Sequence, residues 1–353
     1  MTEKRKPSFS CDYMEGALPQ ILNRLLETNM IQSSGYGTDS ITESAKEKIR
    51  TACGTPEADV FFLVGGTQTN ATVIDALLHS YEGVVSADTG HVAVHEAGAI
   101  ELGGHKVLPL PHTDGKLSSK TVEDYLKAFA ADGNHDHMVQ PGMVYISQPT
   151  EYGTLYTLAE LEELSAVCRR YSLPLYVDGA RLAYALGCKE NDVTLADLGR
   201  LCDVFYIGGT KCGALFGEAV VIPKHNYIPH FFTIIKQHGA LLAKGRIAGI
   251  QFDELFTDDL YLKAGMHGMA AAEKINTALR ENGYETAFGS PTNQIFVVLD
   301  DAEKSRITSE IDLGFWENLP DGRTIMRMDP DVFVHVPLLF CAALKEGFPQ
   351  EKQ

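Results

Sequence analysis

The chain has 353 residues, 44% of them hydrophobic, which is enough to bury a large core and to divide into two domains. Its formal net charge of -17 excludes binding to nucleic acid or anionic membranes by bulk attraction. Because the seven cysteines form no C-x-x-C pair and no secretory or membrane-length apolar run is present, we expect a soluble cytoplasmic protein that acts on small molecules.

Helical spacing of leucine and isoleucine predicts a first helix over residues 18–29. Beyond it, short apolar strands alternate with helices. The predicted strands are 59–64, 84–88, 106–110, 143–147, 173–178, 204–208 and 219–222, and the clearest helices follow residue 70 and cover 120–130 and 157–170. Near-continuous apolar strands separated by helices predict an α/β fold with a mainly parallel central sheet covered by helices on both faces.

The C-terminal third has a different pattern. Residues 246–282 predict one or two helices, and residues 295–300, 324–328 and 332–336 predict strands. We therefore expect a large domain over residues 1–245 and a smaller α+β domain over residues 246–353. The tail after Pro337 favours one short helix.

Polar residues follow four of the predicted strands. They are Gly65 to Thr67, Asp88 to His91, Asp178 and Lys211. In parallel sheets ligands bind at the carboxyl ends of the strands, so we expect these segments to converge on one edge of the sheet.

Lys211 lies in a glycine-flanked segment, GGTKCG, between two apolar strands. Burial there would lower the pKa of the ammonium group, which suits Schiff-base formation with an aldehyde cofactor. The segment alone fits a lysine in an exposed turn better, because lysines are mostly exposed.

Asp178 ends a strand and is followed three residues later by Arg181. A buried carboxylate there can keep the pyridine nitrogen of pyridoxal phosphate (PLP) protonated, while Arg181 can clamp a substrate carboxylate. A plain ion pair between the two side chains is the simpler alternative.

Two further segments suit a cofactor. Residues 65–70, GGTQTN, join a strand to a helix, where backbone N–H groups can bind a phosphate, although an ordinary turn fits as well. His91 can stack on a flat ring or move protons. His91 and His95 are four residues apart but lack the H-E-x-x-H order, so we predict no metal site.

Taken together and in order, these segments resemble the threonine aldolases of the beta-eliminating lyase/threonine aldolase family. The matching stretches are 35–39, 65–70, 90–107, 150–161, 176–182, 208–213 and 236–246. The resemblance implies the aspartate aminotransferase fold (fold type I), PLP as cofactor, and homotetramers with active sites between subunits.

The resemblance also assigns roles residue by residue. Lys211 matches the Schiff-base lysine, Asp178 the partner of the pyridine nitrogen and His91 the stacking imidazole. The phosphate loop corresponds to Gly66 and Thr67, and the substrate-carboxylate arginines to Arg181 and Arg327. Two residues match positions near the intersubunit site, Tyr36 and the phosphate-binding Arg246.

The sequence departs from the family pattern at three places. Cys11, preceded by Ser10, stands where relatives often have a serine that binds the substrate carboxylate, and a thiol is a poor donor. Glu151 stands where some relatives have a histidine that is a candidate base. The segment after Arg327 follows the usual pattern poorly.

The resemblance implies retro-aldol cleavage of L-threonine or L-allo-threonine to glycine and acetaldehyde, a step in threonine catabolism. The base is left open between His91, Glu151 and a bound water. A beta-eliminating amino-acid lyase would use the same lysine, aspartate and phosphate loop. A catalytically silent protein of the same fold is the alternative outside enzymes.

Overall fold

The computed structural model describes residues 6–333, which form two β-sheets and the helices that pack on them. The helices are α1 Pro19–Thr28, α2 Ser40–Ala52, α3 Gly66–Leu77, α4 His91–Val94, α5 Ala99–Leu102, α6 Ser119–Ala131, α7 Leu158–Arg170, α8 Leu182–Gly187, α9 Leu195–Leu201, α10 Phe231–Gln237, α11 Arg246–Leu255, α12 Leu260–Glu281 and α13 Asp301–Glu310. The strands are β1 Asp59–Leu63, β2 Glu82–Ala87, β3 Lys106–Leu110, β4 Gln140–Ser147, β5 Leu175–Asp178, β6 Val204–Gly208, β7 Glu218–Ile222, β8 Glu285–Thr286, β9 Ile295–Leu299, β10 Gly314–Asn318 and β11 Thr324–Met328.

The larger sheet has seven strands in the order β1-β7-β6-β5-β4-β2-β3. Its strands from β2 to β6 pair in parallel, whereas β7 runs antiparallel to both β6 and β1. Strands β5, β6 and β7 are buried along their whole length, and separate apolar clusters pack on the two faces of the sheet. The predicted fold class, a mainly parallel sheet covered on both faces, is confirmed.

The strand register lines up the segments that follow the strands. Asp178 pairs with Ser147 across β5 and β4. Because β7 is antiparallel to its neighbours, its first residue, Glu218, pairs with Gly208 at the end of β6 and with Leu63 at the end of β1. The predicted convergence at one edge of the sheet therefore follows from the register.

Side-chain caps fix where several helices begin. Asp39 accepts hydrogen bonds from the first turn of α2, and Thr157 forms a capping box with Glu160 at the start of α7. Both helices pack on the large sheet through buried apolar residues. The predicted helices 18–29, 120–130 and 157–170 are confirmed, and each of their ends agrees with the structure to within one residue.

The smaller sheet is antiparallel, in the order β10-β11-β9-β8. One face packs on α12, α13 and Phe9 of the N-terminal segment. The predicted helices over 246–282 are confirmed as α11 and α12. Of the predicted strand 332–336, residues 332 and 333 form a turn and the rest lies outside the described residues, as does the predicted helix after Pro337. The domain boundary near residue 245 stays a prediction.

Candidate active site

Lys211 lies in the tight connection between β6 and β7. Glu218 fixes the start of this connection. Its two carboxylate oxygens accept hydrogen bonds from the Gly209 amide (3.1 Å) and the Thr210 hydroxyl (2.7 Å). The Tyr184 hydroxyl donates to the Lys211 carbonyl at 2.7 Å. The backbone of Lys211 is therefore fixed on both sides.

Burial lowers the pKa of Lys211, and the Arg181 guanidinium lowers it further, although Asp12 and Asp178 act in the opposite direction. The pKa of Lys211 is therefore lowered, as expected from the sequence. Burial also raises the pKa of Glu218 to about 8, so this carboxyl group can hold a proton near neutral pH.

Asp178 is buried, and hydrogen bonds from three residues hold its carboxylate in place. Its Oδ2 accepts from the Tyr145 hydroxyl at 2.6 Å and the Asn70 amide at 3.0 Å, and its Oδ1 accepts from the Ala180 N–H at 2.9 Å. The alternative of a plain Asp178–Arg181 ion pair is wrong, because Arg181 binds other carboxylates.

Asn70 joins Asp178 to a second buried carboxylate, Glu96. The Asn70 Nδ2 donates to Glu96 Oε1 at 2.7 Å, and the Tyr176 hydroxyl donates to Asn70 Oδ1, which fixes the orientation of the amide. The same Glu96 oxygen lies 2.8 Å from His91 Nδ1. Burial alone would raise the pKa of Asp178, but His91 and the hydrogen bonds to its carboxylate hold the pKa below its usual range.

The loops after β5 and β6 touch at two glycines. A Cβ on Gly179 would lie 2.0 Å from the Tyr206 carbonyl oxygen, and one on Gly208 would lie 2.3 Å from the Ala180 carbonyl oxygen. Side chains at these positions would separate the segments that carry Asp178 and Lys211.

Helix α3 begins at Gly66 with no side-chain cap. Its first-turn amides therefore point outward at the end of β1, and the helix dipole favours an anion there. A Cβ on Gly66 would come within 3.1 Å of the Tyr206 hydroxyl, so this turn lies close to the strand end that carries Lys211. Thr67 is exposed.

Glu151 lies beside His91 and Ser147. Its Oε1 accepts from the Ser147 hydroxyl at 2.6 Å and from the His91 backbone N–H at 3.0 Å. Burial raises the pKa of Glu151, although the Ser147 hydrogen bond and His91 act against the rise. The His91 and His95 rings lie 5.6 Å apart, and no group of three or more His, Cys, Asp or Glu side chains within residues 6–333 could hold a metal ion.

Arg181 and Arg327 meet at one end of the site, each beside a buried carboxylate. Arg181 donates to both oxygens of Asp12, from Nε at 2.6 Å and from Nη2 at 2.9 Å. The Arg327 Nε lies 2.9 Å from Asp329 Oδ2, and that oxygen is 3.7 Å from Arg181 Nη2. We call Asp12, Arg181, Arg327 and Asp329 the carboxylate cluster.

The N-terminal segment brings Ser10 and Cys11 to the carboxylate cluster. The Arg327 Nη2 donates to the Ser10 carbonyl at 3.3 Å. The Ser10 hydroxyl bonds Ser8 and Met14 rather than an arginine. Cys11 is partly buried, and six of the seven cysteines lie in the described residues as free thiols.

Tyr36 and Arg246 do not line the cavity that contains Lys211 of this chain. Tyr36 is exposed, and its ring lies 4.7 Å from the Lys236 Nζ. Arg246, at the start of α11, donates to the carbonyls of Asn29 and Ile31. The two residues lie near each other, because the Tyr36 N–H bonds the carbonyl of residue 243.

A cavity of about 90 Å³ brings part of the predicted set together, without Ser10, Cys11, Tyr36, Thr67, Arg246 and Arg327. Its lining includes Gly66, His91, Glu151, Asp178, Arg181, Tyr206, Lys211 and Glu218. A larger cavity of about 610 Å³ lies between α2, the residues before α9, and the α11–α12 junction, and it shares no lining residue with the first. Because its lining is mostly apolar and holds no lysine–carboxylate arrangement of this kind, we place the active site in the smaller cavity.

The residues present fit PLP. A lysine with a lowered pKa suits the aldehyde, a buried ionised Asp178 suits a pyridinium, and the uncapped start of α3 suits a phosphate. His91, whose Nδ1 contacts Glu96, lines the same cavity. Sequence reasoning missed Asn70 and Glu96, although both lie inside segments that carried the resemblance.

A model of the beta-eliminating lyase family matches residues 10–302. The chain belongs to this family. It is 30% identical to the low specificity L-threonine aldolase of Pseudomonas aeruginosa over 299 residues, which cover 83% of this chain and 84% of that protein. The resemblance seen in the sequence is therefore confirmed.

Solved structures agree. The threonine aldolase of Leishmania major matches with a TM-score of 0.92 and 41% identity, covering 96% of this chain and 98% of that one. An aspartate aminotransferase of Thermus thermophilus matches with a TM-score of 0.70 at 13% identity, covering 96% and 90%, which shows the shared fold alone. The chain is an enzyme of the lyase class with the fold of the PLP-dependent aminotransferases. No helix within residues 6–333 has the length and apolar content needed to cross a bilayer.

Proposed function

We propose that this protein is a PLP-dependent threonine aldolase that cleaves L-threonine or L-allo-threonine to glycine and acetaldehyde. The observation that carries the proposal is the convergence of Lys211, Asp178, His91 and Arg181 on the lining of one cavity. The curated relatives named low specificity L-threonine aldolase support the same reaction.

The cofactor would be held by residues of the strand ends. Lys211 would bind its aldehyde as a Schiff base, because a lowered pKa keeps more of the amine neutral and nucleophilic. Asp178 would pair with the pyridine nitrogen, His91 would stack on the ring, and the first turn of α3 at Gly66 and Thr67 would bind the phosphate. When bound, PLP supplies the electron sink for a bond broken at the substrate Cα.

Arg181 and Arg327 would orient the substrate through its carboxylate. Both guanidinium groups lie at the same end of the site and share the neighbour Asp329. Fixing the carboxylate sets the rotation about Cα, which decides which of its bonds breaks. Ser10 and Cys11 adjoin this end and would contribute backbone rather than side-chain contacts.

Glu151 would act as the base that removes the proton from the substrate β-hydroxyl. Its raised pKa makes the carboxylate a better proton acceptor than an exposed glutamate, and the Ser147 hydroxyl fixes its position. His91 is a weaker candidate for this role, because its Nδ1 is held by Glu96.

A homotetramer with sites shared between subunits would account for Tyr36 and Arg246. Both residues lie near each other and outside the lining of the Lys211 cavity of their own chain, as expected of groups that serve a neighbouring subunit. The proposal includes a cytoplasmic location, in keeping with free cysteines in the described part of the chain.

A beta-eliminating amino-acid lyase is the second candidate, favoured by the description of the matched family model. Product identity separates the two reactions. An aldolase given L-threonine releases equal amounts of glycine and acetaldehyde, whereas β-elimination releases ammonium and a 2-keto acid.

The test combines a visible absorption spectrum of the purified protein with product analysis, for the wild type and for Lys211→Ala. We expect a cofactor band and release of acetaldehyde from the wild type, and neither the Schiff-base band nor turnover from the variant. A band without acetaldehyde would contradict the aldolase assignment, and a wild type that binds no added PLP would contradict the cofactor.

A further inference from the structure

Asp329 is a buried carboxylate that no step of the proposed reaction uses. It lies two residues beyond Arg327, and its side chain is shielded from solvent. Its Oδ2 is 2.9 Å from Arg327 Nε and 3.7 Å from Arg181 Nη2. Neither of its oxygens accepts a well-aligned hydrogen bond from residues 6–333. A buried anion in this state depends on the two arginines for its stabilisation.

The two arginines are those expected to bind the substrate carboxylate. Arg181 already donates hydrogen bonds from its Nε and Nη2 to Asp12. Arg327 donates Nη2 to the Ser10 carbonyl and faces Asp329 with Nε. A substrate carboxylate therefore meets guanidinium groups whose positive charge is already partly neutralised by protein carboxylates.

The two carboxylates differ in how firmly they are held. Asp12 receives two charge-assisted hydrogen bonds from Arg181 and a third from the Asn293 amide at 3.0 Å. Asp329 accepts no hydrogen bond from residues 6–333 and is stabilised only by the positive charge of the two nearby arginines. Asp12 is thus a fixed partner of Arg181, while the charge of Asp329 is the one that can change.

We propose that Asp329 is a positioning residue that sets the affinity of the site for the substrate carboxylate: as an anion it competes for Arg327, and as a neutral acid it releases Arg327 to the substrate. The proposal rests on the proposed function, because it assumes that the arginines bind an amino-acid carboxylate. It adds a residue that tunes substrate affinity without contacting the reacting atoms.

The protonation of Asp329 falls in the working range of pH. Burial raises its pKa to about 7, and repulsion from Asp12 adds to the rise, while Arg327 and Arg181 limit it. Asp329 is therefore neutral below about pH 7 and ionised above it. Because the ionised form competes for Arg327, affinity for a carboxylate ligand should fall as the pH rises through 7.

Other titratable groups face this cluster from each element packed against it. Among them, burial raises the pKa of Asp331 to about 8, and the pKa of Asp12 stays below its usual range because Arg181 and Lys211 outweigh the effect of burial. The remaining groups are Cys11, Tyr13, Glu15, His95, Arg181, Tyr184, Lys211 and Arg327. Asp331 contacts neither arginine within salt-bridge distance, so it provides the matched control.

The experiment measures glycine binding to the holoenzyme from pH 6 to pH 8.5, for the wild type, Asp329→Asn and Asp331→Asn. The readout is the fluorescence of Trp316, the single tryptophan, whose ring lies 5.7 Å from the Arg327 guanidinium. Binding of glycine needs no turnover. If the protein binds glycine but releases no acetaldehyde from threonine, the proposed function fails while this inference is still tested.

We expect Asp329→Asn to bind glycine about 3–10-fold more tightly than the wild type at pH 8 and about equally at pH 6, since linkage to one proton permits at most a tenfold change per pH unit. Asp331→Asn should keep the wild-type profile. With threonine, Asp329→Asn should lower KM at pH 8 and change kcat little.

Two results would overturn the proposal. One is weaker glycine binding by Asp329→Asn at every pH, which would mean that Asp329 orients Arg327 productively. The other is that Asp329→Asn loses as much affinity for glycine between pH 6 and pH 8 as the wild type does. If Asp329→Asn fails to fold, the wild type and Asp331→Asn still decide: their affinity must fall through pH 7, and a flat profile contradicts the proposal.

Discussion

The two ends of the candidate site are built in different ways. His91, Glu151, Asp178 and Lys211, which we call the strand-end cluster, follow strands of one sheet and are aligned by its register. The carboxylate cluster joins an N-terminal segment, the loop after β5 and the end of β11 in the second sheet. The first is placed by the register of one sheet, whereas the second brings together distant segments whose few backbone contacts are reinforced by buried ion pairs.

This difference predicts different consequences of substitution. Backbone pairing holds the strand-end cluster whatever its side chains are, so changes there should cost rate and leave the fold intact. In the carboxylate cluster, side-chain ion pairs add to the backbone hydrogen bonds that hold the N-terminal segment against the rest of the molecule, such as the one from the Asp329 N–H to the Phe9 carbonyl. Changes there should therefore cost stability as well.

The largest expected effect on folding comes from Asp12→Ala. It leaves Arg181 buried without its bidentate partner, which should lower the free energy of unfolding by about 3–5 kcal/mol. Because the pKa of Asp12 is held below its usual range, the stabilisation by the wild-type carboxylate is present at neutral pH and is lost as the pH falls through that lowered pKa.

Urea unfolding at pH 7 measures this change. Glu27→Ala, which removes an exposed ion pair with Arg24 on α1, is the matched control and should cause no measurable change. Equal losses in the two variants would contradict the view that buried pairs hold the carboxylate cluster together.

The next effect is on rate. Glu151→Gln keeps the shape and the hydrogen bond from Ser147 but cannot take a proton, so kcat should fall at least about a hundredfold, or about 2.7 kcal/mol. The cofactor spectrum and the urea midpoint should stay as in the wild type. Steady-state kinetics with L-threonine provide the measurement.

Ser147→Ala gives the smallest effect. It removes one hydrogen bond that positions Glu151, so kcat should fall by no more than about tenfold, in line with about 1 kcal/mol for such a bond. If both variants keep full kcat, the base is another group. The claim that substitutions in the strand-end cluster lower the rate would then fail for Glu151.

Sequence reasoning predicted the strand-end cluster well, because apolar strands followed by polar residues imply where those residues meet. Lys211, Asp178 and His91 were all found in this way and reach one cavity. Asn70 and Glu96 were missed, since nothing in a single sequence shows that one amide links two carboxylates.

The carboxylate cluster was predicted only in part. Arg181 and Arg327 came from the resemblance, but their partners did not. Asp12 is 169 positions from Arg181 along the chain, and Asp329, although only two residues after Arg327, is marked as its partner by no local motif. The segment that contains Asp329 fitted no pattern, and its meaning came only from the packing of β11 against the N-terminal segment. Ion pairing between distant segments has no local signal in a sequence.

The most direct test of the central claim is chemical labelling of the cofactor lysine. The purified holoenzyme is reduced with borohydride, which converts a Schiff base to a stable amine, and its peptides are mapped by mass spectrometry. We expect the cofactor to be attached to the peptide that contains Lys211. Adding L-threonine before reduction should lower the amount of cofactor attached to that peptide. Cofactor attached to a different lysine, or to none, would contradict this expectation.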